Sequence, residues 1–396
     1  MTDHRTLKKL VRERMARTGE RYTAAHRHVT AQAAPRHDSP TPARAAPVGL
    51  VPGYPVPGPA EHPPSAMARS LLAQAGVDVS EALACGLGGG IGFLYAVFEY
   101  REVATPLLTI VAQHHPQPWL DAVAAHLALH TTAVTSTKAG PALAKLDAAL
   151  DAGRSAQVLV ASGHLPWHTP SGPEAAADPC ALVVAGRDGE TYLVDEGDGE
   201  LHVVGRDDLA TAWAAHPKGR FAVTTLDRPT TPPDLPVAVR AALRTTHAHL
   251  TGPVLGNTFD VNMGLSGIRR LADQLADTRT AQGWPKRFGT HPAFDAGMAR
   301  LAECLTSAYT APGATRPLYA TFLAEAAPLL GIDLLPASRT AALAGERWAE
   351  VADMAGDVTP QDDTAAVIAR FADALARIVP IEERLAGQLG EAVTGF

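Results

Sequence analysis

The sequence is poor in the residues that form disulfide frameworks and metal sites. Its 396 residues include three cysteines, which lie far apart as Cys85, Cys180 and Cys304 and form no CxxC pair. This spacing argues against a disulfide framework and a cysteine-built zinc site, and it predicts a reducing, cytoplasmic location. The 16 histidines show no HExxH spacing, so the sequence predicts neither a metal site nor a cofactor.

Long apolar runs and an excess of positive charge are also missing. No apolar run approaches the roughly 18 residues that a membrane-spanning helix needs, and the N-terminal stretch lacks the uncharged core of a signal peptide. A formal net charge of −7 argues against a basic nucleic-acid surface over the whole chain. The hydrophobic fraction of 46% instead suits a globular protein with about two domains.

The N-terminal part of the chain has its own composition. Residues 1–32 predict a short basic helical arm, because apolar side chains recur at helical spacing as Leu7, Leu10, Val11 and Met15. The arm is either a helix-turn-helix-like docking element or a solvated amphipathic helix. Residues 33–64 are dense in proline, alanine and glycine, which predicts an extended linker.

The rest of the chain predicts an α+β domain at residues 65–228 and an all-helical domain at residues 237–396. In the first domain, β-rich runs alternate with two helical segments and later form hairpins with GRDGE and GDGE turns. The expected strands lie in residues 106–113, 131–137, 156–162, 181–205 and 220–227. The second domain carries repeated apolar stripes at helical spacing. One of them, RPLYATFLAEAA, would form either a lid over a cleft or the face of a homodimer.

The segment from residue 61 to residue 100 predicts a helix, a glycine hinge and a second apolar helix. Its glycine run, GLGGGIGF, does not follow a strand as GxGxxG would and has no P-loop lysine, which disfavours a nucleotide site. Gly88, Gly89 and Gly90 either form a packed turn or leave backbone amides free to bind an oxyanion or a substrate carboxylate.

Two further segments carry side chains that are capable of chemistry. In SGHLPWHTPSG, which follows a strand, His164 and His168 either move protons and bind a ligand beside Trp167, or are half-exposed loop residues around a tryptophan anchor. Cys180 opens one strand and Asp195 ends the next, so a hairpin would bring them to one sheet edge.

Cys180 acts as a nucleophile only as a thiolate, which needs a nearby cation or base such as His62, His164 or His168. The alternative is that Cys180 is an inert small apolar residue at the edge of the core.

Together these segments resemble the BtrH N-terminal domain family, named for the butirosin-biosynthesis acyltransferase. GLGGGIGF resembles the glycine-rich turn of that family, GHLPWH its Leu-Pro-aromatic turn, and ALVVAGRDGETYLVD its hairpin ending in aspartate. RPLYATFLAEAA and GERWAEVADMA resemble the helical domain of unknown function that often follows. The resemblance covers residues 48–390 approximately.

The resemblance implies a papain-like cysteine-hydrolase-type core followed by an all-α domain. Family members of known function move an acyl group from a carrier-protein thioester to an amine during the assembly of a specialised metabolite. The position of the family's cysteine corresponds here to Pro63, and that of its strand histidine to Cys180. His62, the glycine turn and Asp195 remain, so the frame is kept while the usual nucleophile and base are replaced.

Three functions are compatible with these residues. The first is an acyltransferase that moves an acyl group directly from a carrier-protein or CoA thioester to a small amine, with His62, His164 or His168 as base and glycine-turn amides as oxyanion donors. The second is a catalytically silent binding or scaffold module that uses the same cleft. The third is a hydrolase in which Cys180 or Ser65 has become the nucleophile.

Overall fold

The structure is a computed structural model that describes residues 47–99, 105–168 and 179–395. The basic arm predicted at residues 1–32 lies outside the described residues. Within the described ranges the protein has an α+β first half and a helical second half, as the sequence predicts. None of the helices in these ranges is long and apolar enough to cross a membrane.

Helices and strands alternate in the first half, whereas the second half consists of helices. The first half contains α1 (Pro63–Gln74), α2 (Glu81–Leu87), β1 (Ile91–Phe98), β2 (Leu107–Gln113), α3 (Trp119–His126), β3 (Thr131–Val134), α4 (Ala139–Asp151), β4 (Ala156–Ala161), β5 (Pro179–Asp188), β6 (Thr191–Asp195), β7 (Leu201–Gly205), α5 (Arg206–Ala214) and β8 (Val223–Leu226). The second half contains α6 (Leu235–Thr251), α7 (Gly264–Ala276), α8 (Trp284–Arg287), α9 (His291–Thr306), α10 (Arg316–Leu330), α11 (Leu335–Gly356) and α12 (Thr364–Thr394).

Six strands form one antiparallel sheet in the order β3-β8-β4-β5-β6-β7. The expected strands of this sheet are confirmed, and each overlaps the run that predicted it. Gly189, at the β5–β6 turn, has a φ of +58°, a conformation that glycine adopts without strain. The predicted domain boundary falls between β8 and α6, although the domain limits themselves remain predictions.

The segment after the glycine run is a strand, and the second apolar helix predicted there is wrong. β1 pairs antiparallel with β2 in a separate two-stranded sheet. Helices α7 and α9 pack on this hairpin. A strand that is buried on both faces shows no alternation of polar and apolar residues, so its pattern resembles that of a buried helix.

Part of the predicted linker is a packed component of the fold. The amide of Val51 donates to the carbonyl of Ala185 over 2.9 Å. Tyr54 is buried, and its hydroxyl donates to Asp195 Oδ2 over 2.6 Å. In the described residues from 47 onward, this segment is therefore held against the sheet by hydrogen bonds and by the burial of Tyr54.

A buried ion pair joins the β1–β2 hairpin to the helical half. Arg316 is fully buried and donates to Glu382 over 2.9 and 3.2 Å. The same guanidinium donates to the carbonyls of Gly92, at 3.1 Å, and Ala112, at 2.8 Å. Trp348 Nε1 donates to Glu382 over 2.6 Å. Both charges are thus satisfied by hydrogen bonds, as buried charges must be.

Candidate functional site

A cleft of about 760 Å³ lies between the two halves of the molecule. On one side it is lined by the first residues of α1 and α3 and by the central strands of the sheet, β4 and the start of β5. The opposite side is formed by α9 and the segment that follows it, including Arg300 and Tyr309. A cleft of this size accommodates a small organic ligand.

The tip of α1 presents Pro63 to this cleft. Proline is favoured in the first turn of a helix because the amide that it lacks has no intrahelical partner there. Its ring carries no nucleophile and no dissociable proton. Pro63 therefore stabilises the helix start and has no covalent chemistry of its own.

Behind the tip, His62 is paired with Ser65. His62 Nδ1 lies 2.6 Å from Ser65 Oγ, and Nε2 lies 2.6 Å from Gln113 Oε1. Because the amide oxygen of Gln113 only accepts, Nε2 carries the proton and Nδ1 accepts from the serine hydroxyl. Burial lowers the pKa of His62 to about 4, so the ring is neutral at physiological pH.

This pairing places a hydroxyl against an imidazole, as the relocated-nucleophile hypothesis requires. Both side chains, however, are fully buried and do not line the cleft. His62 and Ser65 instead tie the start of α1 to the end of β2, where Gln113 lies. Their geometry therefore supports a structural role beside the cleft.

Asp195 does not meet Cys180 or a histidine in the described hydrogen bonds, contrary to the sequence expectation. It accepts from the Tyr54 hydroxyl over 2.6 Å and from the Gly197 amide over 2.7 Å. Burial raises the pKa of the Asp195 carboxyl. The β5–β6 register explains the separation, because Asp195 pairs with Val183, and Cys180, an odd number of residues away, points to the other face.

The side chain that meets Cys180 is Glu196. Cys180 Sγ lies 3.1 Å from Glu196 Oε1, and the carboxylate also accepts from Trp167 Nε1 and His168 Nε2, each at 2.7 Å. Burial, together with the charge of Glu196, raises the pKa of the Cys180 thiol well above its ordinary value. The thiolate is therefore disfavoured.

The two loop histidines take different places. His168 and Trp167 line the cleft, whereas His164 is exposed and lies outside its lining. Sequence reasoning missed Glu196, although one signal was available. Strand alternation places the residue after Asp195 on the opposite face, which is the face of Cys180.

The glycine turn is the packed turn that the sequence predicts as one alternative, and its amides are not free. The amides of Gly88, Gly89 and Gly90 donate to backbone carbonyls of α2 at 2.9 to 3.0 Å. They are therefore occupied, and an oxyanion cannot bind to them without breaking the end of α2. A Cβ on Gly88 would lie 2.1 Å from the ring of Trp119, and one on Gly89 would lie 2.4 Å from that of His114.

These glycines let two unpredicted side chains reach the cleft. His114 and Trp119 both line it, and neither ring nitrogen of His114 nor the indole nitrogen of Trp119 has a hydrogen-bond partner among the described residues. The His114 ring stacks on His249 at 4.4 Å. Burial and the neighbouring His249 lower the pKa of His114 to about 3. These ring nitrogens are buried, and Trp119 Nε1 and His114 Nδ1 lie against the glycine turn, so the two rings offer packing surface to the cleft and no accessible hydrogen-bond donor.

Comparison with known families agrees with the motif-based resemblance. Residues 62–196 match the family described as Butirosin biosynthesis protein H, N-terminal, and residues 207–389 match Domain of unknown function (DUF4872). The two matches confirm the motif-based resemblance, and the order of the two domains is the order that the motifs predict.

No curated protein matches this chain. Among solved structures, one described as a C39-like peptidase from Bacillus anthracis is similar to it, with 14% sequence identity and a TM-score of 0.31. That similarity covers 46% of this chain and 99% of the other.

Replacing Gly89 with alanine is expected to lower the free energy of unfolding by about 2–5 kcal/mol. Gly89 has a φ of +100°, which costs an L-residue about 1–2 kcal/mol, and the new Cβ collides with the His114 ring, which adds about 1–3 kcal/mol. Gly76→Ala is the matched control, since Gly76 has a φ of +86° and no heavy atom lies within 4 Å of the place that the alanine methyl would take. Equal losses in urea unfolding would contradict the packing role.

Proposed function

We propose that the protein binds an acyl group in this cleft without forming a covalent acyl-enzyme. The observation that supports the proposal is that the helix tip presents Pro63 to the cleft, while Cys180, at the start of β5 on the same side of the cleft, is hydrogen-bonded to a carboxylate. A nucleophilic cysteine needs a cation or base that favours its thiolate. Glu196 disfavours the thiolate, and the nearby His168 Nε2 donates to Glu196. The papain-like core that the family resemblance implies, with a helix tip facing a strand pair, is part of this proposal.

The cleft walls support an acyl ligand. Several lining side chains are apolar, namely Pro64, Met67, Val158, Leu159 and Trp119. Polar side chains line the cleft as well, among them the exposed Gln117. An apolar chain with one carbonyl group matches such a lining, because the chain covers the apolar walls and the carbonyl accepts an amide N–H of Gln117. In this proposal the donor is an acyl carrier protein or acyl-CoA thioester.

The proposal predicts binding without acylation. With S-octanoyl-N-acetylcysteamine as probe, we expect saturable binding by calorimetry and an unchanged intact mass. Cys180→Ala should bind equally well, while Gln117→Leu should bind about 3- to 10-fold more weakly, because it loses the amide N–H donor. An acyl adduct on Cys180, or labelling of Ser65 by a fluorophosphonate, would instead establish the relocated-nucleophile enzyme.

Direct acyl transfer to an amine is the second candidate. It is favoured by one observation, that the half-exposed His168 is held by Glu196 at the cleft over 2.7 Å, which is the geometry of a base and its orienting carboxylate. In this reaction the amine nitrogen attacks the thioester carbonyl carbon and the C–S bond breaks. The proton lost by nitrogen passes through His168 to the departing thiolate.

The two candidates differ in whether an amide forms. Incubating the protein with the same thioester and a panel of small amines, followed by mass spectrometry of the products, tests for transfer. If transfer occurs, His168→Ala should abolish it, while the matched control His164→Ala, an exposed histidine outside the cleft lining, should retain it. Binding without any amide product favours the non-catalytic module.

A further inference from the structure

Five side chains with metal-ligating atoms meet at the cleft end of the β5–β6 hairpin. They are His168, Cys180, Glu196, Asp198 and His202. In the group His168, Cys180 and Glu196, all ligand atoms lie within 4.8 Å of one another, and the same holds for Glu196, Asp198 and His202. The sequence predicted no metal site, because these residues come from separate segments that match no ligand-spacing motif.

We infer that His168, Cys180 and Glu196 form a binding site for a zinc ion. One imidazole nitrogen, one thiolate sulfur and one carboxylate oxygen make up a donor set that suits zinc better than magnesium or calcium, which prefer oxygen ligands. Three protein ligands leave a fourth position, and all three side chains line the cleft. That position is therefore open to water or to a cleft ligand.

The charges of the cluster support a cation. Among the described ion pairs, Glu196 is paired with His168 and Asp198 with His202, each at 2.7 Å, and neither carboxylate is paired there with a lysine or arginine. In these pairs, imidazoles are the groups that compensate the negative charges of Glu196 and Asp198 near the Cys180 thiol. A divalent cation supplies the missing charge and removes the repulsion that Glu196 exerts on a thiolate.

The distances are compatible with a small rearrangement on binding. At present His168 Nε2 and Cys180 Sγ lie 2.7 Å and 3.1 Å from Glu196 Oε1. Ligand atoms around a tetrahedral zinc ion lie about 3.3–3.7 Å apart, given bond lengths of roughly 2.0–2.3 Å. The two separations from Glu196 Oε1 would therefore grow by about 0.2–1 Å, which side-chain movements are able to supply. His168 and Glu196 are both partly exposed, so they are able to move.

Neighbouring side chains already orient these ligands. Trp167 donates to Glu196 Oε2 and stacks on His202 at 4.4 Å, and His202 is held by Asp198. Such outer contacts are typical of metal ligands. When zinc binds, the Cys180 S–H bond breaks, a sulfur–zinc bond forms and the thiol proton is released to solvent, while His168 takes the tautomer with its proton on Nδ1 so that the Nε2 lone pair binds the metal.

Titration of the chelator-treated full chain tests the site. With Zn²⁺ in competition with a chromophoric chelator, we expect one bound equivalent. Cys180→Ala and the isosteric Glu196→Gln should each weaken binding more than about 100-fold, since loss of even an outer-shell partner costs about 10- to 100-fold. His164→Ala is the matched control and should bind as the unaltered protein does.

Cobalt(II) provides a readout that a change in stability cannot imitate. The Co²⁺-loaded protein should show a thiolate-to-cobalt charge-transfer band that Cys180→Ala lacks while circular dichroism remains unchanged. Absence of this band, absence of Zn²⁺ binding, or undiminished binding by the folded Glu196→Gln protein would each overturn the inference. Thioester binding in the metal-free protein would leave the proposed function standing, so the two failures are distinguishable.

Discussion

Arg316→Met is expected to lower the free energy of unfolding by about 3–5 kcal/mol, because it leaves a buried carboxylate without its partner. Glu382 is fully buried, and after the change only the Trp348 indole would still donate to it among the described hydrogen bonds. The carbonyls of Gly92 and Ala112 would also lose their shared donor. Urea unfolding, monitored by tryptophan fluorescence, measures the loss.

The chain provides a matched control one residue away from Glu382. Arg269 forms an ion pair with Glu383 at 2.7 Å, but the two side chains are 52% and 40% exposed. Arg269→Met should therefore cost about 0–1 kcal/mol. The double change Arg316→Met/Glu382→Leu should recover part of the loss, since it removes the unpaired charge. Similar midpoints for Arg316→Met and Arg269→Met would show that the buried pair does not hold the hairpin to the helices.

Acidification from pH 7 to pH 4 is expected to destabilise the protein by about 3 kcal/mol through His62 alone. The pKa of His62 falls from 6.5 to about 4 on burial, and each tenfold step of that gap is about 1.4 kcal/mol. Between these values the unfolded chain binds a proton that the folded protein excludes. The contribution is fully present above pH 6.5 and is lost as the pH falls toward 4. His114 acts in the same direction.

Urea midpoints measured across this pH range test the assignment. His62→Asn should reduce the dependence of stability on pH between 6.5 and 4, whatever its effect on stability at pH 7. His164→Asn is the matched control, because it also removes one imidazole but at an exposed position, and the two pH profiles are compared directly. An unchanged slope in His62→Asn would show that the ring is not excluded from solvent.

Local patterns predicted most elements of the fold. Alternating β-rich runs and turn glycines located β2 and the strands of the six-stranded sheet. Apolar stripes at helical spacing located α7 and α9–α12. Both signals are readable in the sequence because the residues that form them lie within a few positions of one another. The error at β1 has a physical cause, since a strand without a polar face carries no alternation. Tyr54 and Val51 were missed because single apolar residues in a proline-rich segment give no periodic signal.

The site was only partly predictable for a different reason. The motifs correctly indicated the family, and they brought Cys180, His168 and Trp167 to attention, all of which line the cleft. Whether Cys180 meets Asp195 or Glu196 depends on which face of the hairpin each side chain occupies. His114 and Trp119 carry no motif at all, and their place in the cleft depends on the missing side chains of Gly88 and Gly89.

By itself, the sequence determined the class of fold, the family and the absence of a side-chain nucleophile at Pro63, because residue identity and short-range periodicity are properties of the chain. Only the tertiary structure decided which groups face one another across the cleft. Those contacts join residues far apart in sequence, such as His168 with Glu196 and Arg316 with Glu382. A shift of one residue in the β5–β6 register would turn Glu196 to the other face of the sheet, and the Arg316–Glu382 pair depends on how two helices pack, so both contacts follow from packing of the whole molecule.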